Sequence, residues 1–408
     1  MKLSLYNCYV VRGNDTIVYN TKVESAVAFN NQNDIEAVKA FLEENPTQEL
    51  EDLGLITSDS DEVSTQKREY YKMKFGSTKK LNIMLVMTYE CNCNCAYCFE
   101  NLKTYPVNSE EKADDVVDYL VKLYKANNCD EMDLHFFGGE PTLRIDTMIY
   151  VVNKLLEVGI NVNTNVITNG TLLCQDAIDK LIDADITTFQ ITLDGPKAIH
   201  DKRRPMKCGK SSWEAIIENL TLLAKKNASI SIRINVDSTN VEYLPEICQS
   251  IPEIVKQSAY TTIYIAPVVG CKIENLHNTL QDRTSFLKRA WQIISENHLP
   301  IAITPPVYAP CPYSSFESAF YIDLYGNVYT CGGFVGKEER IERVFDKKTD
   351  GFWDRISYHP KDSCFRCTYF PVCMGGCKYE EAALGGSCQY FYLKEVYDEY
   401  YTKYAIET

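Results

Sequence analysis

From about Leu81 to Pro300, six apolar, β-branched segments alternate with amphipathic ones, and no other feature of the chain limits its fold so strongly. The strand candidates are Asn82–Thr88, Met132–Phe137, Val162–Ile167, Thr187–Leu193, Ser229–Val236 and Thr261–Pro267. Helical periodicity fills the intervals, as in Asp114–Lys125, Ile145–Val158, Trp213–Lys226 and Ser285–Glu296. Six β-α units in a row predict an α/β fold with a parallel sheet, either a partial barrel or doubly wound. Periodicity alone does not choose between the two.

Different patterns flank this region. Before it, Leu5-Tyr6-Asn7, Tyr9-Val10-Val11 and Thr16–Tyr19 read as short strands around a Gly13-Asn14-Asp15 turn. Ile35–Glu44 reads as an amphipathic helix, the following LGLI as a short strand, and polar Ser58–Arg68 as a linker. After Ile303 the alternation stops, and the segment to about Cys388 is rich in Cys, Gly and aromatics with little regular structure legible. Leu393–Tyr404 reads as a closing helix. The expected organisation is a small α+β domain over 1–75, an α/β core over 76–304 and a Cys-rich domain over 305–408.

Composition removes several function classes. No apolar run approaches the roughly 18 residues needed to span a bilayer, and the N-terminal MKLSLYNCYVV makes a poor signal peptide. A cytoplasmic protein without a membrane partner is expected. The net charge is −14 and no Lys/Arg block tracks phosphates, which argues against nucleic acid as the main partner. Seventeen cysteines then stand out. Cytosolic thiols stay reduced, so clustered cysteines there point to metal or redox chemistry.

Directly after the first core strand, Cys91, Cys95 and Cys98 stand at C-x3-C-x2-C. Three thiolates on one tight loop can hold three irons of a [4Fe–4S] cube, leaving the fourth iron open. A structural zinc site would want four closed ligands. Cys93 interrupts the spacing and reads as a bystander. Phe137-Gly138-Gly139-Glu140-Pro141 closes the second strand, Thr168-Asn169-Gly170 ends the third, and Ile191-Thr192-Leu193-Asp194-Gly195-Pro196 ends the fourth. All four motifs fall at carboxyl ends of strands, where parallel α/β sheets place ligands.

The cysteine spacing, with aromatic Tyr97 before Cys98, resembles the signature of the radical S-adenosylmethionine (SAM) superfamily. That resemblance implies a partial (β/α)6 barrel with SAM bound by Gly138, Gly139, Glu140, Thr192 and Arg204. The position of Thr192 is usually Ser in related maturases. The implied chemistry is one-electron cleavage of SAM to methionine and a 5′-deoxyadenosyl radical that abstracts hydrogen from an unactivated carbon. An external one-electron reductant, such as flavodoxin or ferredoxin, is implied as a partner.

Near the C-terminus come Cys311, Cys331, Cys364, Cys367, Cys373, Cys377 and Cys388. Taken alone, Cys364–Cys377 suits zinc as well as iron–sulfur. The seven in order resemble the SPASM extension of peptide-modifying radical SAM enzymes, which implies two auxiliary [4Fe–4S] clusters and three in all. By that resemblance auxiliary cluster I takes Cys311, Cys331 and Cys377, and auxiliary cluster II takes Cys364, Cys367, Cys373 and Cys388. The additional inner-cluster cysteine of anaerobic sulfatase-maturating enzymes is missing from Pro312–Phe320, implying an open iron or a non-Cys ligand such as Glu317. Those enzymes also carry Asp where this chain has Gly332, which argues against sulfatase maturation.

The N-terminal pattern resembles the leader-peptide recognition domain of peptide maturases, which adds the leader as a strand to a sheet edge. The combined expectation is a peptide maturase. It would recognise the leader and core of a ribosomally made precursor and install a crosslink, a thioether first and a carbon–carbon or carbon–oxygen bond second. A sulfatase-maturase-like enzyme oxidising a protein residue is one alternative, and a non-catalytic iron–sulfur or zinc protein another. The sequence names no general base.

Overall fold

The computed structural model describes residues 1–75, 79–98, 111–268, 279–307, 319–329, 331–336, 342–343, 360–377 and 388–405. The chain forms two compact units, one drawn from Met1–Gly76, Ile303–Cys311 and Tyr358–Thr408, the other from Ser77–Ala302 and Pro312–Ser357.

The first unit begins with strand β1 (Lys2–Leu3), then β2 (Asn7–Arg12), β3 (Asp15–Asn20) and β4 (Ser25–Phe29), and later β5 (Ile56–Thr57). β2, β3 and β4 make an antiparallel meander, and β1 pairs with β5. Of the expected strand Leu5–Asn7, Leu5 and Tyr6 form a turn after β1 and Asn7 opens β2. β4 was not legible, because Ser25–Phe29 lacks a polar–apolar alternation. Helix Ile35–Glu44 forms as expected, with the Asp34 carboxylate accepting from the amides of Glu36 and Ala37. It buries Val38 and Leu42 against Val18, Leu55 and Ile56.

The expected linker at Ser58–Arg68 is mostly a helix, Glu62–Phe75. Its surface is too polar for an apolar stripe, so tertiary contacts decide it. The Glu62 carboxylate accepts from Ser4 Oγ and the Leu5 amide, both at 2.8 Å. Buried Tyr70 meets Phe365 and Phe370 edge-on, with ring centroids 5.7 Å apart in each pair. The closing helix, Tyr390–Lys403, packs on β3: Tyr401 stacks on Tyr19 at 4.5 Å, and the Tyr19 hydroxyl donates to Asp398 at 2.8 Å.

The second unit carries six parallel strands in sequence order: β6 (Lys80–Thr88), β7 (Glu131–Gly138), β8 (Val162–Thr168), β9 (Thr188–Thr192), β10 (Ser229–Val236) and β11 (Thr261–Pro267). Their consecutive parallel pairing, with helices between, resolves the choice left open by periodicity in favour of a partial (β/α)6 barrel. Helix Leu280–Glu296 starts earlier than expected because Thr279 and Asp282 form a capping box.

The Cys-rich region holds more structure than its sequence suggests. β12 (Ala319–Asp323) joins the sheet parallel to β6, and it turns into antiparallel β13 (Asn327–Tyr329) and β14 (Glu342–Arg343). Along β7, Met132, Leu134 and Phe136 are buried, while Asp133, His135 and Phe137 are half-buried on the other face. The fully buried set belongs to the helix side, as Phe320 on Tyr119 of helix Ala113–Ala126 shows. The half-buried set lines the inner face.

Candidate functional site

The loop after β6 holds Cys91, Cys95 and Cys98, with Cys95 buried and the other two half-buried. Backbone bonds fix it against the segment after helix Lys197–Arg203. Asn94 and Ala96 donate to the carbonyls of Pro205 and Arg203, and Lys207 donates to Asn92, at 2.8–2.9 Å. Cys93, expected as a bystander, pairs with Met206 in an isolated bridge, and its amide donates to Cys91 Sγ at 3.4 Å.

The thiols differ electrostatically. The Cys93 side chain, its amide and the Asn169 side chain hydrogen-bond Cys91 and hold its thiol below the usual range. Burial pushes the Cys95 thiol up to about 11; Arg204 opposes the shift, and the charges of Cys98 and Cys91 add to it. Among the described residues no three His, Cys, Asp or Glu side chains converge closely enough to share one metal ion. A cube makes a different demand, since it spreads three thiolates over three irons.

The Gly-Gly-Glu turn holds the loop from the other side. Gly139 and Glu140 donate from their amides to the carbonyls of Thr88 and Glu90, both at 2.8 Å. Gly138 has φ 129°, which a side chain would rarely adopt. The Glu140 carboxylate is fully buried and saturated: Thr142 and Thr168 hydroxyls donate at 2.5 Å, and the amides of Asn169 and Thr142 at 2.7 and 3.1 Å. Burial raises its pKa against those four donors. Asn169 carries the connection onward, donating to Asn92 Oδ1 at 2.7 Å and towards Cys91 Sγ at 3.8 Å.

A second network gathers on the Tyr97 hydroxyl. Arg204 Nη1 donates to it at 2.5 Å, Asn235 Nδ2 at 3.2 Å, and the hydroxyl donates to Asp194. Asp194 also accepts from the Asn235 amide at 3.0 Å and lies 3.7 Å from Arg204 and 3.9 Å from Arg203. The Asp194 amide donates to His200 Nδ1 at 3.1 Å, which makes that nitrogen the acceptor. Burial, with Arg204 nearby, pulls His200 down to about 4, so the ring is neutral at pH 7.

The structure thus brings Gly138, Gly139 and Glu140 to one flank of the cysteine loop, and Arg204 to the other through Tyr97. Thr192 ends β9 half-buried, beside Arg233 of β10. The sequence singled out Tyr97 for its ring and Asp194 as part of the motif that ends the fourth core strand, and it missed Asn235. The only signal for this network is the juxtaposition of strand ends, which appears on folding.

Residues 85–251 match the radical SAM superfamily. The chain carries a radical SAM domain. This radical SAM enzyme is 23% identical over 327 residues to a cysteine-type anaerobic sulfatase-maturating enzyme of Clostridium perfringens, covering 71% of this chain and 86% of that one. It is 23% identical over 341 residues to the radical SAM cyclopropyl synthase TigE of Paramaledivibacter caminithermalis, covering 76% and 70%. Its fold is shared with Streptococcus suis SuiB, solved with its precursor peptide SuiA, at TM-score 0.57 and 15% identity over 93% of this chain and 96% of that one. Membership implies one [4Fe–4S] cluster and SAM.

In the first unit Cys364, Cys367, Cys373 and Cys388 lie within electrostatic reach of one another. Burial pushes Cys373 up to about 12, with the charges of Cys367, Cys388 and Cys364 adding to it. Cys331 and Cys377 are half-buried, while Cys311 and Glu317 fall outside the described residues. Among the described residues no helix is long and apolar enough to cross a membrane.

Proposed function

We propose that this chain is a maturase that installs a crosslink, a thioether in the first instance, in a ribosomally synthesised precursor peptide. The observation that carries the reading is the cysteine loop clamped between the Gly-Gly-Glu turn and the Arg203–Lys207 segment. Cys91, Cys95 and Cys98 would hold the SAM cluster. When bound, cluster and SAM supply one-electron cleavage to a 5′-deoxyadenosyl radical. Gly138 and Gly139 bring backbone to that site, Glu140 fixes their turn, Thr192 presents a hydroxyl, and Arg204 acts there through Tyr97.

Two auxiliary [4Fe–4S] clusters complete the proposal. The four mutually coupled thiols Cys364, Cys367, Cys373 and Cys388 match the Cys₄ donor set of auxiliary cluster II. Cys311, Cys331 and Cys377 would hold auxiliary cluster I. The TigE and SuiB likenesses support a peptide substrate, with the 1–75 segment recognising the leader, a flavodoxin or ferredoxin supplying the electron, and a cytoplasmic site of action.

The sulfatase-maturating relative favours a second reading, oxidation of a protein residue. Gly332 weighs against it. A β-carbon there would lie 2.9 Å from the Tyr321 hydroxyl and 3.1 Å from two ring carbons, so the phenol fills the space a carboxylate at 332 would need. The test is mass spectrometry of Cys-containing precursor peptides after anaerobic reaction with SAM and a reductant. Loss of two hydrogens that survives thiol reduction, with fragmentation that maps a bond between two residues, supports a crosslink; a carbonyl on one residue with no bond between residues supports the second reading.

A further inference from the structure

The chain has a net charge of −14, yet Lys197–Lys210 carries six Lys or Arg residues against a single carboxylate, Asp201. Three of the six are committed. Lys197 pairs with Glu214, Arg203 pairs with Asp237 at 2.9 Å, and Arg204 lies 3.7 Å from Asp194. Lys202, Lys207 and Lys210 are exposed, and among the described residues no carboxylate lies within ion-pair distance of them.

The fold gathers these three lysines on one short stretch. Asp201 accepts from Ser211 Oγ at 2.7 Å, Ser212 Oγ at 3.1 Å and the Trp213 amide at 2.9 Å. The residues after Lys210 are thereby tied back to the end of the helix that carries Lys202. The Gly209 amide donates to the Met206 carbonyl at 3.0 Å, closing a turn over 206–209. A β-carbon at Gly209 would meet nothing within 4 Å, so the tip of that turn stands clear of the protein.

Directly behind this stretch lies the cysteine loop. Lys207 donates to the Asn92 carbonyl and Asn94 to the Pro205 carbonyl, both at 2.8 Å, and Cys93 bridges Met206. One layer of chain therefore separates the exposed lysines from the loop that holds Cys91 and Cys95. Single surface lysines are ordinary. An unpaired cationic patch on an anionic protein, laid over one loop, favours a partner of opposite charge. Electron transfer slows steeply with distance, so the surface against this loop is where a carrier gains most by docking.

We propose that Lys202, Lys207 and Lys210 form the docking surface for an acidic protein that carries one electron. The carrier gives up one electron there, and the cluster in the loop behind takes it up. This rests on Cys91, Cys95 and Cys98 holding that cluster. Redox encounters bury little area and depend on charge for rate and orientation, so salt weakens them.

The test uses an acidic flavodoxin and the anaerobically reconstituted full chain. Wild type is compared with Lys202→Glu/Lys210→Glu and with the neutral Lys202→Gln/Lys210→Gln. A third variant, Lys122→Glu/Lys125→Glu on helix Ala113–Ala126, changes the net charge as much as the first. Iron content confirms that each is folded and loaded. Fluorescence anisotropy measures binding of labelled oxidised flavodoxin and of a labelled tetraglutamate peptide. Separately, 5′-deoxyadenosine is counted with flavodoxin hydroquinone and with dithionite as reductant. At low salt the charge reversal at 202 and 210 is expected to weaken flavodoxin binding and slow flavodoxin-driven formation by about 10-fold or more. The Gln pair should lose less, and the 122/125 variant should match the wild type. At about 1 M salt, where the screening length is about 3 Å, these differences should vanish. Dithionite-driven formation should be equal in all four proteins. Wild-type flavodoxin affinity and rate in the charge reversal, or an equal loss in Lys122→Glu/Lys125→Glu, overturns the proposal. A loss confined to the tetraglutamate peptide gives the surface to an acidic substrate and likewise overturns it. A wild type that forms no 5′-deoxyadenosine with dithionite contradicts the cluster itself, and the binding arm then decides the surface alone.

Discussion

Gly139 approaches the Glu90 carbonyl so closely that a β-carbon at position 139 would lie 2.2 Å from its oxygen. The Glu90 carbonyl belongs to the backbone that leads into Cys91, so it cannot yield without moving the first thiol. The two glycines that the family resemblance assigns to SAM are thus needed first for approach of the chain to itself.

Gly139→Ala is therefore expected to displace the cysteine loop. Overpacking of this kind costs about 1–3 kcal/mol, and the loss should concentrate on the cluster. Iron content and the cluster's EPR signal after reconstitution should fall, while the far-UV spectrum stays that of the wild type. A fully loaded variant would mean that the loop tolerates the shift.

His200 makes stability depend on pH with a definite sign. Its folded pKa lies near 4, below its unfolded value of about 6.5. Between those values the unfolded chain binds more protons, so stability falls as pH drops from about 6.5 to about 4, by up to about 3 kcal/mol. His200→Asn, which keeps an acceptor near the Asp194 amide, should flatten this dependence. Denaturation midpoints at pH 7 and pH 5 for both proteins measure it.

Much of the barrel was legible because each core strand repeats one simple pattern. Ser229–Val236 and Thr261–Pro267 appear at their expected bounds. Helix Glu62–Phe75 was not legible, because its order depends on Ser4, Leu5, Phe365 and Phe370, all distant in sequence. The hydroxyl of Tyr97 was hidden for the same reason: its partners Asp194, Arg204 and Asn235 come from the end of β9, the end of helix Lys197–Arg203 and the end of β10. Spacing on one loop reveals a donor set, whereas a network assembled from several strands appears only once they are side by side.

Tyr70 tests the packing beneath Cys364 and Cys367. It is buried against Phe365 and Phe370, with Cys364 and Cys367 packed on the same cluster. Tyr70→Ala should cost about 3–5 kcal/mol and lower iron bound by the C-terminal cysteines, whereas Tyr70→Phe keeps the ring and should preserve both. Thermal unfolding with iron counts on the two variants checks this.

Cys91, Cys95 and Cys98 are proposed to hold the cluster at which SAM is cleaved. The most direct measurement is 5′-deoxyadenosine formed from SAM and a strong reductant by the reconstituted wild type and by Cys95→Ala. Formation by the wild type and none above background by the variant is expected, with the iron bound by the C-terminal cysteines unchanged. Equal 5′-deoxyadenosine from both proteins would contradict it.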